Sequence, residues 1–135
     1  RYIYQANVIR VVDGDTLDVI LDVGFHFSAR VRVRLIGIDA PEMHGVDAEK
    51  GLAAKEFLTL LLASASSLFI RTQKGDSFGR WLATLWIERG PDHELVEIGA
   101  EMMLAGHARA WAPGSHAGKV HGLEGSVIGF GTASL

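Results

Sequence analysis

Three short stretches gather the residues that can do chemistry. Asp13-Gly14-Asp15 puts two carboxylates on one turn. Arg34-Leu35-Ile36-Gly37-Ile38-Asp39-Ala40-Pro41-Glu42 carries a guanidinium and two more carboxylates. Gly79-Arg80 adds a second guanidinium at another turn. The chain has no cysteine, and its six histidines are scattered; His107, His116 and His121 form no metal-site spacing. Carboxylates at loop ends then suit a hard cation held by oxygens, Ca2+ or Mg2+. Arginines beside such a cation suit a phosphate, because guanidinium donates bidentately to phosphate oxygens. A further carboxylate can activate water.

These residues must be brought together by the chain around them. On a strand, Arg34, Ile36 and Ile38 share one face and Leu35, Gly37 and Asp39 the other. Only a bend between Gly37 and Pro41 puts Arg34 and Asp39 at one site, and a Gly inside a strand marks such places. Each aspartate alone reads equally well as a turn-former, Asp13 above all, since Asp bonds nearby backbone. Taken with Glu42 and both arginines, Asp15 and Asp39 read as one site.

The elements follow from hydrophobic period. Residues 2–12 and 16–23 read as strands joined by a tight turn at Asp13-Gly14, with Gly accepting positive φ. Residues 24–29 read as a wide connection. A third strand follows, in which Arg30, Arg32 and Arg34 alternate with Val31, Val33 and Leu35. Arg30 and Arg32 read as a solvated face with cross-strand partners such as Asp18 and Asp22. Ala54, Phe57, Leu58, Leu61 and Leu62 then recur at helical spacing, with Asp47 as candidate N-cap. Residues 68–73 and 81–88 read as strands four and five. Residues 93–104 read as a second helix with Leu95, Ile98 and Met102 inward and Gly106 as its stop. Glycines crowd residues 112–135, which read as a weakly ordered tail with a short strand near residues 127–130.

Five strands with a helix after the third predict an α+β domain over residues 1–111, the five-stranded Greek-key barrel of the OB-fold. A chain of 135 residues, 48% hydrophobic, is one folded domain with a real core. Its formal net charge of -3 argues against a polyanion binder held by a broad basic surface. No apolar run reaches the length of a membrane span. Arg1 in place of Met, without a signal-like pattern, suggests a processed form or a piece of a longer chain. The compartment stays open.

Three motifs in order, Val12-Asp13-Gly14-Asp15-Thr16, then residues 34–42, then Phe78-Gly79-Arg80-Trp81-Leu82-Ala83, resemble the staphylococcal nuclease family. The likeness runs over residues 8–111. It implies a Ca2+-dependent phosphodiesterase that cleaves DNA and RNA and leaves 3′-phosphate ends. By motif position, Asp15, Asp39 and the carbonyl of Ala40 would hold the Ca2+, Glu42 would act as general base, and Arg34 and Arg80 would clamp the phosphate. Phe78 stands where the family carries an aromatic beside the nucleotide. In the same turn Lys74 can approach a phosphate, although a solvated lysine is the plainer reading. Trp111 reads equally as a stacking face or as packing. The chain departs from the archetype in its acidic balance, its longer connection at residues 24–29 and its lack of a basic C-terminal helix. Two other readings remain beside the enzyme: a non-catalytic nucleic-acid- or protein-binding OB module, and a structural domain of a larger chain.

Overall fold

The computed structural model describes residues 3–75 and 80–111, with Lys74 and Gly75 as backbone only. Phe78, the side chain of Lys74 and residues 112–135 lie outside the described residues. The chain runs β1 (Ile3–Asp13), β2 (Thr16–Gly24), β3 (Phe27–Leu35), β4 (Ile38–Asp39), then α1 (Ala48–Ala63) behind a 3-10 turn at Gly45–Asp47. It continues through β5 (Ser67–Gly75), β6 (Trp81–Arg89), β7 (Glu94–Glu97), α2 (Ile98–Leu104) and β8 (Arg109–Ala110). The main sheet is ordered β3-β2-β1-β5-β6-β7. Parallel pairing of β3 with β6, Val33 opposite Trp81 and Leu35 opposite Ala83, closes a five-stranded mixed barrel with β7 added at its side. This is the α+β OB-fold architecture expected from the element order.

The two-residue period decides what fills the barrel. Leu17 and Val19 of β2, Val33 of β3, Ile70 of β5, and Leu85 and Ile87 of β6 are all fully buried. Leu58 of α1 and Ile98 and Met102 of α2 join the same core. Each such Leu or Ile contributes about 1.5–3 kcal/mol by leaving water, so this core, and not the polar site, holds the barrel closed.

Four expectations need correction. Residues 94–97 do not begin the second helix. They form β7, paired with β6 through Val96 opposite Ile87, so Val96 is buried and Leu95 is 62% exposed. The helix starts at Ile98, with Gly106 at φ +80° ending it as expected. The connection at residues 24–29 is not wide: β2 and β3 stay paired to Gly24 and Phe27, leaving a two-residue loop of Phe25 and His26. Asp47 stands at the α1 N-cap position without donating or accepting a side-chain cap bond. Asp22 lies opposite Ser28 and accepts the Gly24 N–H at 2.9 Å instead of pairing with an arginine.

The tight turn after β1 is as read, but Gly14 is needed for a different reason. A Cβ there would lie 2.7 Å from the Ala40 Cβ and 2.8 Å from the Ala54 Cβ. The turn is pressed between the chain after β4 and α1, and that close approach seats Asp15 beneath Ala40. Neither alanine has a flexible end that can swing aside. Gly14→Ala should therefore destabilise the domain by about 1–3 kcal/mol through overpacking, read as a lower urea midpoint at unchanged slope.

Candidate active site

Gly37, at φ +84°, makes the bend that the strand pattern requires. Beyond it Asp39 swings back to Arg34, whose Nη2 donates to Asp39 Oδ1 at 3.2 Å. The same Nη2 lies 3.4 Å from Asp15 Oδ2. Nη1 donates to the carbonyls of Leu35 at 2.8 Å and Ile38 at 2.9 Å. Trp111 lies over the guanidinium, 4.8 Å from ring centroid to Cζ, and its backbone N–H donates to the Gly37 carbonyl at 2.8 Å. Arg34, only 8% exposed, thus donates to two carbonyls and one carboxylate and lies in ion-pair range of a second. Its Nε–H takes part in none of these contacts.

Asp15 comes to this cluster from the β1–β2 turn. Asp13 Oδ1 accepts the Asp15 N–H at 3.1 Å, the backbone-bonding role expected of Asp13. The Asp15 carbonyl accepts the Leu35 N–H at 2.8 Å and ties the turn to β3. Of its carboxylate oxygens, Oδ2 accepts the Ala40 N–H at 2.9 Å and Oδ1 the Thr16 hydroxyl at 3.2 Å. Burial raises the Asp15 pKa above its ordinary 3.8, and neighbouring Asp13 pushes the same way. Arg34 and the Ala40 N–H oppose that rise without cancelling it. Loss of water around the carboxylate is thus the main cause of the rise.

Asp39 pairs through β4 with β8, opposite Arg109, whose Nη2 lies 3.3 Å from Asp39 Oδ2. The two form one wall of a hollow of about 450 Å³ that also contains Glu42, Lys50 and His107. Glu42 is exposed there. Its backbone crosses α1 at Gly51, where a Cβ would collide with the Glu42 carbonyl oxygen and lie 2.9 Å from Met43 Cα. Arg80 is half-buried and directly precedes β6, whose Leu82 is in register with Arg34.

Asp15, Arg34, Asp39 and Ala40 therefore meet directly, with Glu42 in the adjoining hollow and Arg80 entering the neighbouring strand. Arg109 was not singled out from the sequence. It lies on a two-residue strand after Gly106, too short for any period to show, and meets Asp39 across 70 positions. Trp111 packs on Arg34, so of its two readings the structure shows packing.

The family model for staphylococcal nuclease homologues matches residues 32–121. The chain belongs to that family. It is 36% identical over 86 residues to the protein ParB of Escherichia coli, covering 62% of this chain and 42% of that protein. It is 30% identical over 115 residues to the micrococcal nuclease of Shigella flexneri, covering 81% of this chain and 58% of that one. An uncharacterized protein of Methanocaldococcus jannaschii is 26% identical over 130 residues, covering 80% of this chain and 59% of its own. The chain spans about two to three fifths of the length of these relatives. The matched stretch of this staphylococcal nuclease homologue holds Arg34, Asp39, Glu42 and Arg80, while Asp15 precedes it.

Among the described residues, no group of three or more His, Cys, Asp or Glu side chains could hold a metal. The oxygen donors that meet at Arg34 Nη2 are the carboxylates of Asp15 and Asp39. They are hard oxygens of the kind Ca2+ takes, and so few of them leave the rest of the shell to water.

Two outcomes follow from this geometry. A carboxyl whose pKa is raised on folding adds stability below its ordinary 3.8, and that stability is lost as the pH climbs through the raised value. Asn cannot ionise, and its amide can donate to Asp13. In chelator at pH 7, Asp15→Asn should therefore unfold at higher urea than the parent, with the gap closing toward pH 4. Gly51→Ala should lower stability despite the better helix propensity of Ala, because the Glu42 backbone must move. A rise in its urea midpoint would show that the crossing is loose.

Proposed function

We propose that this domain is a Ca2+-dependent nuclease that hydrolyses phosphodiester bonds of DNA and RNA and leaves 3′-phosphate ends. The observation that carries this reading is the single Arg34 nitrogen bonded to Asp39 and adjacent to Asp15, with Glu42 in the next hollow. That arrangement matches the roles the family resemblance assigns. The similarity to a protein named micrococcal nuclease supports it as well.

Asp15, Asp39 and the Ala40 carbonyl would hold the cation. When bound, it supplies Lewis-acid stabilisation to the phosphoryl oxygens. Glu42 takes a proton from water as that water's oxygen bonds to phosphorus. The bond from phosphorus to the 5′-oxygen breaks, and the departing oxygen takes a proton from solvent. Arg34, through its remaining Nε–H, and Arg80 donate to the phosphoryl oxygens as charge builds on them. Donors placed for that charge are the larger part of such catalysis, and losing one lowers the rate about 10²- to 10³-fold.

A second reading, a binding module without catalysis, draws support from the three Arg34 hydrogen bonds to protein acceptors and its ion pair with Asp15. Single-stranded DNA incubated with Ca2+ or with chelator separates the two. The nuclease cuts only with the metal, and Glu42→Gln and Arg80→Ala keep the parent's circular dichroism while cutting about 10²- to 10³-fold more slowly. A protein that retards the DNA in a gel but leaves it whole in every condition is the binding module.

A further inference from the structure

The outer face of β1, β2 and β3 gathers three guanidiniums around one carboxylate. Arg32 donates from Nε and Nη2 to Asp18 Oδ1 and Oδ2 at 2.7 and 3.1 Å. Arg10 Nε lies 3.7 Å from Asp18 Oδ2, and the charge of Arg30 acts on the same carboxylate. Asp13 also acts on Arg32, so three arginines stand against two aspartates and the patch is net positive in a chain whose formal net charge is -3. All three arginines are exposed.

The patch is also aligned with the site. Arg30, Arg32 and Arg34 occupy alternate positions on β3, so they form a row with steps of about 6.6–6.8 Å. Arg34 ends that row inside the cluster with Asp15 and Asp39. At the other end is the β2–β3 loop of Phe25 and His26, where Phe25 is 92% exposed. Phe25 and His26 sit at φ +56° and +65°, a conformation that bulky residues seldom adopt. Type I′ hairpin loops normally place Asn or Gly there. Here the loop tolerates that strain while holding the Phe25 ring in water. Asp22 steadies the loop through the Gly24 N–H at 2.9 Å.

We propose that the β2–β3 hairpin is an arm that holds single-stranded nucleic acid leading away from Arg34, with Arg10, Arg30 and Arg32 against its phosphates and Phe25 against its bases. This rests on the nuclease reading for what lies at Arg34. A cationic track with an exposed ring is the arrangement that binds single strands without regard to sequence. One ring at a loop tip offers far less than the roughly 800 Å² per side of a stable protein interface.

The test is fluorescence anisotropy of a labelled oligothymidylate of about fifteen nucleotides, titrated in chelator over a range of salt. Each phosphate contact to a single strand contributes about 0.7 to the slope of log affinity against log salt. The double variant Arg10→Ala, Arg30→Ala should reduce the slope by about 1.4. Phe25→Asn suits the left-handed backbone and removes the ring; it should weaken binding about tenfold at fixed salt and leave the slope unchanged. Variants that match the parent in affinity and slope overturn the arm, and the nuclease reading stands if the parent cuts DNA with Ca2+. A parent that binds with a variant-sensitive slope yet never cuts overturns the nuclease reading alone. Binding to anionic phospholipid vesicles without binding to the oligonucleotide overturns the arm in favour of a membrane surface.

Discussion

A guanidinium buried to 8% exposure dictates the local structure of this protein. Taking such a charge out of water costs several kcal/mol unless its N–H groups find acceptors and its charge finds partners. Arg34 is met by the carbonyls of Leu35 and Ile38 and by the carboxylates of Asp39 and Asp15. The chain must therefore turn sharply enough after β3 for Ile38 and Asp39 to face back, and the positive φ of Gly37 makes that turn without strain. Asp15 has to approach from a different hairpin, which the missing side chain of Gly14 permits. Trp111 covers the remaining face of the guanidinium and is anchored by its own backbone N–H to Gly37. One arginine thus sets the relative positions of four chain segments.

The barrel explains why that position can be rigid. The parallel pairing of β3 with β6 is the closure of the barrel and also the place where Arg34 meets Leu82. Any loosening of closure would move Arg34 and the approach of Arg80 together. Glu42 is placed differently. It lies on irregular chain after Pro41, and its location comes from the contact of its backbone with Gly51 on α1. Buried apolar residues of α1 then transmit the barrel's position to a loop that has little apolar contact of its own. Asp39, held by a buried charge, and Glu42, held by packing, need different explanations although they are near neighbours in sequence.

The sequence made the chemistry more legible than the packing. Arg34, Asp39 and Glu42 stand out because a cation and two acids flank a Gly and a Pro within one strand-turn segment. The barrel strands show because alternation is strict where one face is buried, as in Leu17, Val19 and Leu21. The four-residue β7 was hidden because Leu95, Ile98 and Met102 also fit a helical spacing, and only pairing with β6 decides between the periods. The β2–β3 loop was hidden because Phe and His are poor residues for its backbone, so local preference pointed to a longer connection. Gly14 showed the right residue for the wrong cause, since crowding by Ala40 and Ala54 is invisible without the third dimension. The Arg109 contact with Asp39 is likewise a consequence of β4 and β8 pairing, and no local pattern encodes it.

Net charge is a poor guide to what this surface attracts. At physiological salt, fields between exposed charges fade over about 8 Å, so a formal -3 spread over the molecule says little about any one face. What matters is the local balance, and the two charged regions are built in opposite ways. Around Asp18 guanidiniums outnumber carboxylates and all are in water, so the excess is available to an anion from solvent. Around Asp15 the charges are shut away from water, and that burial, with Asp13 pushing the same way, raises its pKa against the pull of Arg34. Arg34 belongs to both regions, as the last of the row on β3 and the first positive charge of the acidic cluster. A face that draws in phosphates and the carboxylates of Asp15 and Asp39 are thereby joined through one side chain. That continuity is what an anionic chain would need in order to be led from an exposed strand to a buried acidic site that would otherwise repel it.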